Sequence, residues 1–512
     1  MASESTTSNP FATVLSTEAQ ERLSNRKLAP DAKKPDEFII YFAQWHTTFR
    51  LAELQALAEI EGVGKMEILK YSEQSPYAIV KLEHPEKANV LIRRSILAKS
   101  IFELWGSGTD YPTIHEDVCK RIQGWWSDDF YKLPFKFEIE CFLGKRPGDQ
   151  HRNLVESFSY ISLDGPIRMK NADLQFAVME EYSFDNSVNP PRAFDSPDLI
   201  LLGRQIGTGN RSAALKYDLK KRPYIGTTSF DAELTLVTAN IALCGPAKLA
   251  YDPFAGTGSF LIACSHYGSI SFGSDIDGRQ VRGKKNRSVV GNYQHYNLKS
   301  FFGDVFTADI TNSPVRPGLQ FLDSIVCDPP YGVREGLKVL GNRDPTKTKE
   351  VIYRDGTPRH LQPDYVPPKK PYSFVQMLDD ILDFSAEHLV DGGRLVMWMP
   401  TANEDLVEFG RPSHPALEEV AVCIQSFNKW SRQLLAYRRR NKDEIDMKAW
   451  EERRENKKYV ASKDQKESVD ELNFFRKKYF EGFKSKEAAE AAEASGDAVE
   501  QLEVEKLNLK DA

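Results

Sequence analysis

The chain is poor in cysteine, and what it has is scattered. Its six cysteines stand at 119, 141, 244, 264, 327 and 423. None forms a CxxC pair and no His/Cys cluster has zinc-ligand spacing, so no metal site is expected, and buried thiols in a reducing compartment are. No apolar run approaches the roughly 20 residues that span a bilayer, which argues against a membrane protein. Met1 to Pro10 lacks the basic and apolar regions of a secretory signal, and a cytoplasmic protein is expected. Positive charge is not in excess either. Lys and Arg number 68 against 74 Asp and Glu, a net charge of −6 that does not advertise nucleic-acid binding. There is no internal repeat.

What is present is length and pattern. At 512 residues, with 41% hydrophobic and 28% charged, the chain can build two or three soluble domains. Residues 1–36, rich in Ser, Thr, Ala and Lys, read as a loose leader. Over 37–110 the order of patterns is β-α-β-β-α-β, the split βαβ arrangement of a ferredoxin-like domain, with a helix over about 85–98. A second α+β segment follows over 111–195, with a helix near Asp117–Trp126 and strands near Phe135–Glu140, Phe158–Ile161 and Gln175–Glu180. Pro-rich punctuation ends it. Residues 196–445 alternate short apolar runs with helical patterns, as a largely parallel α/β sheet requires. Within them, about 333–370 is an insertion full of Pro, Gly, Asp and Lys, a lid or a loose loop. Residues 446–512 turn to Glu, Lys and Ala, a solvated helix or loose tail.

Two sets of residues carry chemistry. The first is Asp252-Pro253-Phe254-Ala255-Gly256-Thr257-Gly258-Ser259, a glycine turn between a strand and a helix. Gly256 and Gly258 lack a Cβ, so backbone can approach a ligand closely, and the following helix aims its N-terminus at an anionic group. Leu261 stands where a dinucleotide fingerprint has its third glycine, which disfavours hydride transfer. Asp275, after the next strand, can accept hydrogen bonds from both ribose hydroxyls, with Asp277 as competitor. Asp304, in Phe301-Phe302-Gly303-Asp304-Val305, is the candidate for an adenine amino group. Each acid alone is more often a cap or turn residue; three at successive strand ends suggest a nucleoside site.

The second set is Asp328-Pro329-Pro330-Tyr331. An amine on an aromatic ring is a poor nucleophile because its lone pair is delocalised. A carboxylate accepting its N–H bonds favours a pyramidal nitrogen and can take the proton. Pro329 and Pro330 stiffen the loop and have no N–H to compete. Tyr331 can stack on the base, worth roughly 1–3 kcal/mol, and Gly332 leaves room for the ring. The bland alternative is a Pro-rich turn ending a strand. Two basic runs lie nearby: Arg204, Arg211, Lys216, Lys220, Lys221 and Arg222, then Arg279, Arg282, Lys284, Lys285 and Arg287. Such runs are ordinarily solvated surface; beside a base-modifying motif they are candidates for steering phosphates.

The glycine turn and Asp328–Tyr331 resemble the class I S-adenosylmethionine-dependent amino-methyltransferases, which carry a (D/N)PP(Y/F) motif in this order. Arg222-Pro223-Tyr224-Ile225-Gly226-Thr227-Thr228-Ser229-Phe230-Asp231, with Glu233 and Ala239-Asn240, narrows this. The chain resembles the catalytic subunits of eukaryotic tRNA (guanine-10-N2)-methyltransferases over about residues 36–440. The resemblance implies a Rossmann-like methyltransferase domain preceded by an α+β ferredoxin-like and THUMP region that grips tRNA. It implies S-adenosyl-L-methionine as cofactor, with Asp252, Phe254, Gly256, Thr257, Gly258, Asp275, Asp304 and Thr228 around it. It also implies a small zinc-binding methyltransferase activator subunit as heterodimer partner, for which Ser300-Phe301-Phe302-Gly303 at a sheet edge could provide a pairing strand, although the chain's own insertion could equally cover that edge. Position 10 follows from the resemblance alone. The motif is also compatible with adenine N6 or a glutamine amide as acceptor, and a catalytically idle tRNA-binding scaffold is the non-enzymatic alternative.

Overall fold

The computed structural model describes residues 9–25, 35–122, 128–185, 187, 192–333, 337–341, 351–362, 365–402, 411–427 and 430–461. The chain forms two compact units, Met1–Leu215 and Lys216–Ala512.

The first unit is built on one seven-stranded sheet, in spatial order Met66–Lys70, Tyr77–Leu82, Glu37–Phe42, Ala98–Gly108, Leu199–Thr208, Leu174–Glu181, Phe135–Phe142. Its first four strands, with the helix Arg50–Glu61, make the ferredoxin-like pattern. They do not stand apart from the second segment, because Leu199–Thr208 pairs with both Ala98–Gly108 and Leu174–Glu181. The expected break at residue 196 therefore falls later, after Leu215. The reason lies in Leu199-Ile200-Leu201-Leu202. Ile200 and Leu202 fill one core while Leu199 and Leu201 fill another on the opposite face. A strand buried on both faces reads as a plain apolar run, equally suited to a parallel sheet.

Three local expectations shift. The strand expected over Phe158–Ile161 is a helix His151–Glu156 followed by a 3₁₀ turn Ser159–Ile161, since the buried residues Leu154, Phe158 and Ile161 recur at helical spacing. The helix expected to reach residue 98 ends at Leu91. The chain then turns so that the Ile96 and Leu97 N–H groups donate to the buried Glu53 carboxylate at 2.9 and 3.0 Å. The helix expected near 117–126 is Tyr111–Arg121, because the Asp110 carboxylate caps its start by accepting from Thr113 N at 2.8 Å.

Nor is the leader loose where it is described. Phe11 is buried edge-on against Tyr111, with ring centroids 4.9 Å apart. Its carbonyl lies 2.9 Å from His115 Nε2, and a helix follows over Thr17–Asn25. One apolar anchor in a polar segment was enough to dock it. The remainder of the leader lies outside the described residues.

The second unit has a seven-stranded sheet in the order Phe302–Thr307, Ile270–Asp275, Leu249–Asp252, Leu322–Cys327, Leu389–Ala402, Trp430–Arg439, Leu417–Ser426. The first five strands are parallel and the last two run antiparallel as a hairpin. Helices such as Phe374–His388, capped by Ser373, bury Met377, Leu378, Ile381 and Leu382 in the core beside Ile325 and Leu395. Strand order reverses between Leu249–Asp252 and Leu322–Cys327, the switch point where open α/β sheets bind ligands.

The insertion is anchored where it is described. Lys338–Leu340 pairs with Lys369–Pro371, and Leu337 and Val339 enter the core. The presumed tail begins with a docked helix, Met447–Ala461. Trp450 packs edge-on to His414, and the Arg453 guanidinium donates to Asp379 and Asp383 at 2.7 and 3.1 Å. Residues beyond 461 lie outside the described residues. Among the described residues no helix is long and apolar enough to cross a membrane, and no cluster of His, Cys, Asp and Glu could hold a metal ion.

Candidate active site

The parallel pair Leu249–Asp252 and Leu322–Cys327 decides what meets what. Ala250 stands opposite Ser324 and Tyr251 opposite Ile325, so the glycine turn and the Pro-Pro loop leave adjacent strand ends in the same direction. Their acids sense each other. Burial pushes the Asp252 carboxyl well above the ordinary range, and Asp275 and Asp328 add to the rise.

The glycine turn is tightly specified. Gly256 and Gly258 have φ of 48° and 84°, and Gly258 opens the helix Ser259–His266. The left-handed backbone at Gly258 disfavours any side chain, and a Cβ there would lie 2.9 Å from Val289 Cγ1. At Gly256 nothing lies within 3.5 Å of a built Cβ, the nearest atom being Gln280 Oε1 at 3.6 Å. Backbone is thus left open for a ligand to approach. The Asp252 carboxylate holds the turn from below, accepting from Phe254 N at 2.9 Å.

Asp275 ties the turn to the next strand. Its two oxygens accept from Gly256 N at 2.9 Å and Asp277 N at 2.8 Å. Burial raises its pKa, and those two backbone bonds pull against the rise. Asp277 is held below the ordinary carboxylate range, chiefly by hydrogen bonds from Arg279. It caps the helix Gly278–Arg282, accepting from Arg279 N at 3.0 Å. The competitor is therefore occupied as a cap, and Asp275 is the acid beside the turn. Lys369, at the returning end of the insertion, exerts its charge on both.

Asp304 does not lie at a strand end. It pairs with Phe272, whereas Asp275 pairs with Thr307, so Asp304 sits three residues short of the strand's carboxyl edge. Its side chain is exposed and accepts from Val305 N at 2.8 Å. A GD pair after an apolar run looks like a strand terminus, but here the strand continues through Val305-Phe306-Thr307.

The segment 222–231 is brought onto the turn. The buried Arg222 guanidinium donates to Ser259 Oγ at 2.7 Å. Ser229 Oγ lies 2.9 Å from Thr257 Oγ1 and accepts from Gly226 N at 2.8 Å. Asn292 Nδ2 donates to the carbonyls of Tyr224 and Thr257 at 2.8 and 3.4 Å. Thr228 stands exposed on this stitched loop, next in sequence to Ser229.

On the Pro-Pro loop, Asp328 is partly buried, Pro329 is buried and Pro330 exposed. Burial pushes the Asp328 pKa up to about 6, against the pull of a hydrogen bond from Tyr331 and the charge of Arg432. The Tyr331 hydroxyl donates to Asp328 Oδ1 at 2.5 Å. The tyrosine thus occupies one oxygen of that carboxylate. Gly332 turns the chain with φ 72°.

Sequence reasoning missed the wall opposite. The antiparallel strand Trp430–Arg439 starts where Leu389–Ala402 ends, with Trp430 opposite Ala402 and Arg432 opposite Pro400. Trp430 meets Tyr331 edge-on at 6.3 Å and stacks on Phe427 at 4.6 Å. The Arg432 guanidinium lies 4.2 Å from the Phe230 ring centroid and 5.3 Å from that of Phe427. It also donates to Gln425 Oε1 at 3.1 and 2.7 Å. No motif marks these residues; only the returning hairpin brings them here.

The site thus joins a glycine turn, a carboxylate at the end of the next strand, a second acid raised by burial and an aromatic rim. Those features suit a nucleoside cofactor and a flat acceptor. Comparison with known proteins agrees. Residues 36–211 match the family model described as "Tmrp11 THUMP N-terminal domain". The chain is 45% identical over 407 residues to the tRNA (guanine(10)-N(2))-methyltransferase of Saccharomyces cerevisiae, covering 78% of this chain and 92% of that protein. It is 38% identical over 436 residues to that of Schizosaccharomyces pombe, covering 78% and 89%. It is 31% identical over 473 residues to the Homo sapiens protein TRMT11 of the same description, covering 89% and 97%. The chain belongs to the family of tRNA (guanine(10)-N(2))-methyltransferases.

Proposed function

We propose that this site carries out the family's reaction, transfer of a methyl group from S-adenosyl-L-methionine to the exocyclic N2 amine of guanosine-10 in tRNA. The observation that carries this reading is the adjacency of the two loops at the switch point, with Asp328 at the mouth of the glycine cradle. The residues fit the cofactor: open backbone at Gly256 for close approach and a carboxylate, Asp275, at the end of the next strand. When bound, it supplies an electrophilic methyl on a sulfonium.

The chain's own residues then do the rest. Asp328 accepts an N–H of the guanine amine in place of the Tyr331 hydroxyl, drawing the nitrogen lone pair out of conjugation. As that hydrogen bond is exchanged, the Tyr331 ring turns to stack on the base. After transfer the amine nitrogen carries an extra proton, and Asp328, with a pKa raised to about 6, can accept it. Asp252, kept high by burial, holds the turn rather than reacting. Phe254, Thr257 and Thr228 line the cofactor side in this reading. Asp304, mid-strand and exposed, contributes at most to the outer rim.

The partner reading rests on the sheet edge. Of the segment Ser300–Gly303, Ser300 and Phe301 lie in a 3₁₀ turn; the strand Phe302–Thr307, outermost on its side of the sheet among the described residues, is the edge at which a strand of the small zinc-binding activator would pair. All six cysteines are free thiols, which suits a reducing, cytoplasmic setting. The test is transfer of tritiated methyl to unmodified tRNA transcripts, with and without activator, followed by nucleoside analysis. N2-methylguanosine that disappears when guanosine-10 is replaced by adenosine supports the reading. Label in N6-methyladenosine, or undiminished label in the substituted transcript, refutes it.

A further inference from the structure

Of the two basic runs, the structure engages the three arginines of the first. Arg204 is clasped by Glu103 through two bonds of 2.7 and 2.6 Å. Arg211 donates to the Ile96 carbonyl, and Arg222 is buried on Ser259. The second run is different. Arg282, Lys284, Lys285 and Arg287 are all exposed, and their side chains have no ion-pair or hydrogen-bond partner among the described residues. From Gly278 to Gly303 the sequence contains no Asp or Glu, although acids number 74 in 512 residues overall. At that frequency, about four acids would be expected by chance in such a length, so the stretch is depleted of the residues that would neutralise it.

The cations stand on a backbone-bonded knuckle between two helices. Lys284 N donates to the Arg287 carbonyl at 2.8 Å and Arg287 N returns the bond to Lys284 at 3.0 Å. Lys285 takes the left-handed conformation at φ 53°. A Cβ at Gly283 would lie 2.1 Å from the Arg287 carbonyl oxygen, and one at Gly291 equally close to that of Asn286. The glycines thus let the turn sit flush on its helices. Both flanking helices touch the cofactor turn: Gln280 lies beside Gly256, while Val289 abuts Gly258 and Asn292 reaches the Thr257 carbonyl. The Tyr224 hydroxyl, donating to the Gln280 carbonyl at 2.7 Å, ties in the 222–231 segment.

We infer that the knuckle Arg282–Arg287 is a phosphate clamp for the polyanionic backbone of the tRNA substrate, mounted on the rim of the cofactor site so that one contact registers the target nucleotide against the methyl donor. This rests on the tRNA reading above and adds to it where the backbone is gripped. It requires an array of unneutralised cations, which these four residues form and the three engaged arginines of the first run do not.

The test compares the wild-type chain, with activator, to the variant K284Q/K285G/R287Q, in which glycine keeps the left-handed turn unstrained. Binding of unmodified tRNA is measured by anisotropy at 50 and 200 mM salt, and cofactor affinity by calorimetry. Losing three phosphate contacts, at roughly 0.7–0.9 in salt slope each, makes the wild-type affinity drop across that range about 20- to 40-fold steeper than the variant's. KM for tRNA rises in the variant, and cofactor affinity holds. An unchanged salt slope with wild-type KM overturns the inference while leaving the methyl-transfer reading intact. So does a variant that binds tRNA normally but no longer retains the activator, because the knuckle is then a protein-docking surface. If wild-type protein fails to methylate tRNA at all, the functional reading itself has failed.

Discussion

Replacing Asp328 by Asn keeps the shape of the Pro-Pro loop and removes one proton-binding group. Burial raises this carboxyl from its ordinary 3.8 to about 6. In the wild type about 90% of it is ionised at pH 7 and about a quarter at pH 5.5, so turnover at saturating cofactor and tRNA should fall about fourfold between those values. Saturation matters, because Asp275 is also raised by burial and its titration would enter through cofactor binding. The Asn variant should lose about 10²–10⁴ in rate, and the residual activity should no longer show this acid limb. Stability moves the other way. A group whose folded pKa lies above its unfolded value stabilises the fold fully below about 3.8 and loses that contribution as pH rises through about 6. At pH 7.5 the Asn variant is therefore expected to be more stable than wild type by up to ~3 kcal/mol, with the gap closing on acidification. Stopped-time methyl transfer across pH 5–8, paired with thermal melts over the same range, reads both. A variant that keeps the wild-type acid limb, or is slowed only because it is less stable at pH 7.5, refutes the assigned role.

Other consequences are direct. Arg432→Met removes a positive charge that lowers the Asp328 pKa, so the acid limb should move to higher pH; a profile that scales down without shifting would leave Arg432 a packing residue. Gly258→Val puts a branched side chain at φ 84° against Val289, which should destabilise the fold by ~1–2 kcal/mol or more and abolish measurable cofactor binding in calorimetry; normal affinity would contradict the cradle. Asp275→Asn should weaken cofactor binding by about 1.5–3 kcal/mol, the range for hydrogen bonds to a charged group, with tRNA binding retained. In the first unit, Glu180→Gln breaks a buried pair with Arg146 and leaves a single amide oxygen where Tyr111 and Tyr182 each donate to a separate carboxylate oxygen. It should cost that unit about 3–5 kcal/mol, seen in its melting transition, while cofactor affinity in the second unit stays unchanged.

What could be read from sequence divides along physical lines. The glycine turn and Asp328–Tyr331 were legible because each needs particular residue types: glycine where φ is positive, proline where no N–H is wanted. The parallel strands of the second sheet were legible from their apolar runs. Leu199–Thr208 was misassigned because a doubly buried strand carries no alternation to say which sheet it joins. Asp304 was placed at a strand end because nothing local announces that the strand continues to Thr307. Phe11 looked like leader because a single anchor leaves no periodic trace. Trp430 and Arg432 escaped notice for a different reason: about a hundred residues separate them from Asp328, and only the antiparallel return of the final hairpin closes that distance.

The central claim is that donor methyl and guanine amine meet between two loops leaving neighbouring strands. A crystal structure with S-adenosylhomocysteine and a tRNA fragment containing guanosine-10 measures this most directly. The account predicts the ligand sulfur facing the Asp328 carboxylate across a space one methyl and one amine wide, with the Tyr331 hydroxyl withdrawn from Asp328 and its ring against the base. A sulfur turned away from Asp328, or a guanine amine bound elsewhere with the Tyr331–Asp328 bond still in place, would contradict it.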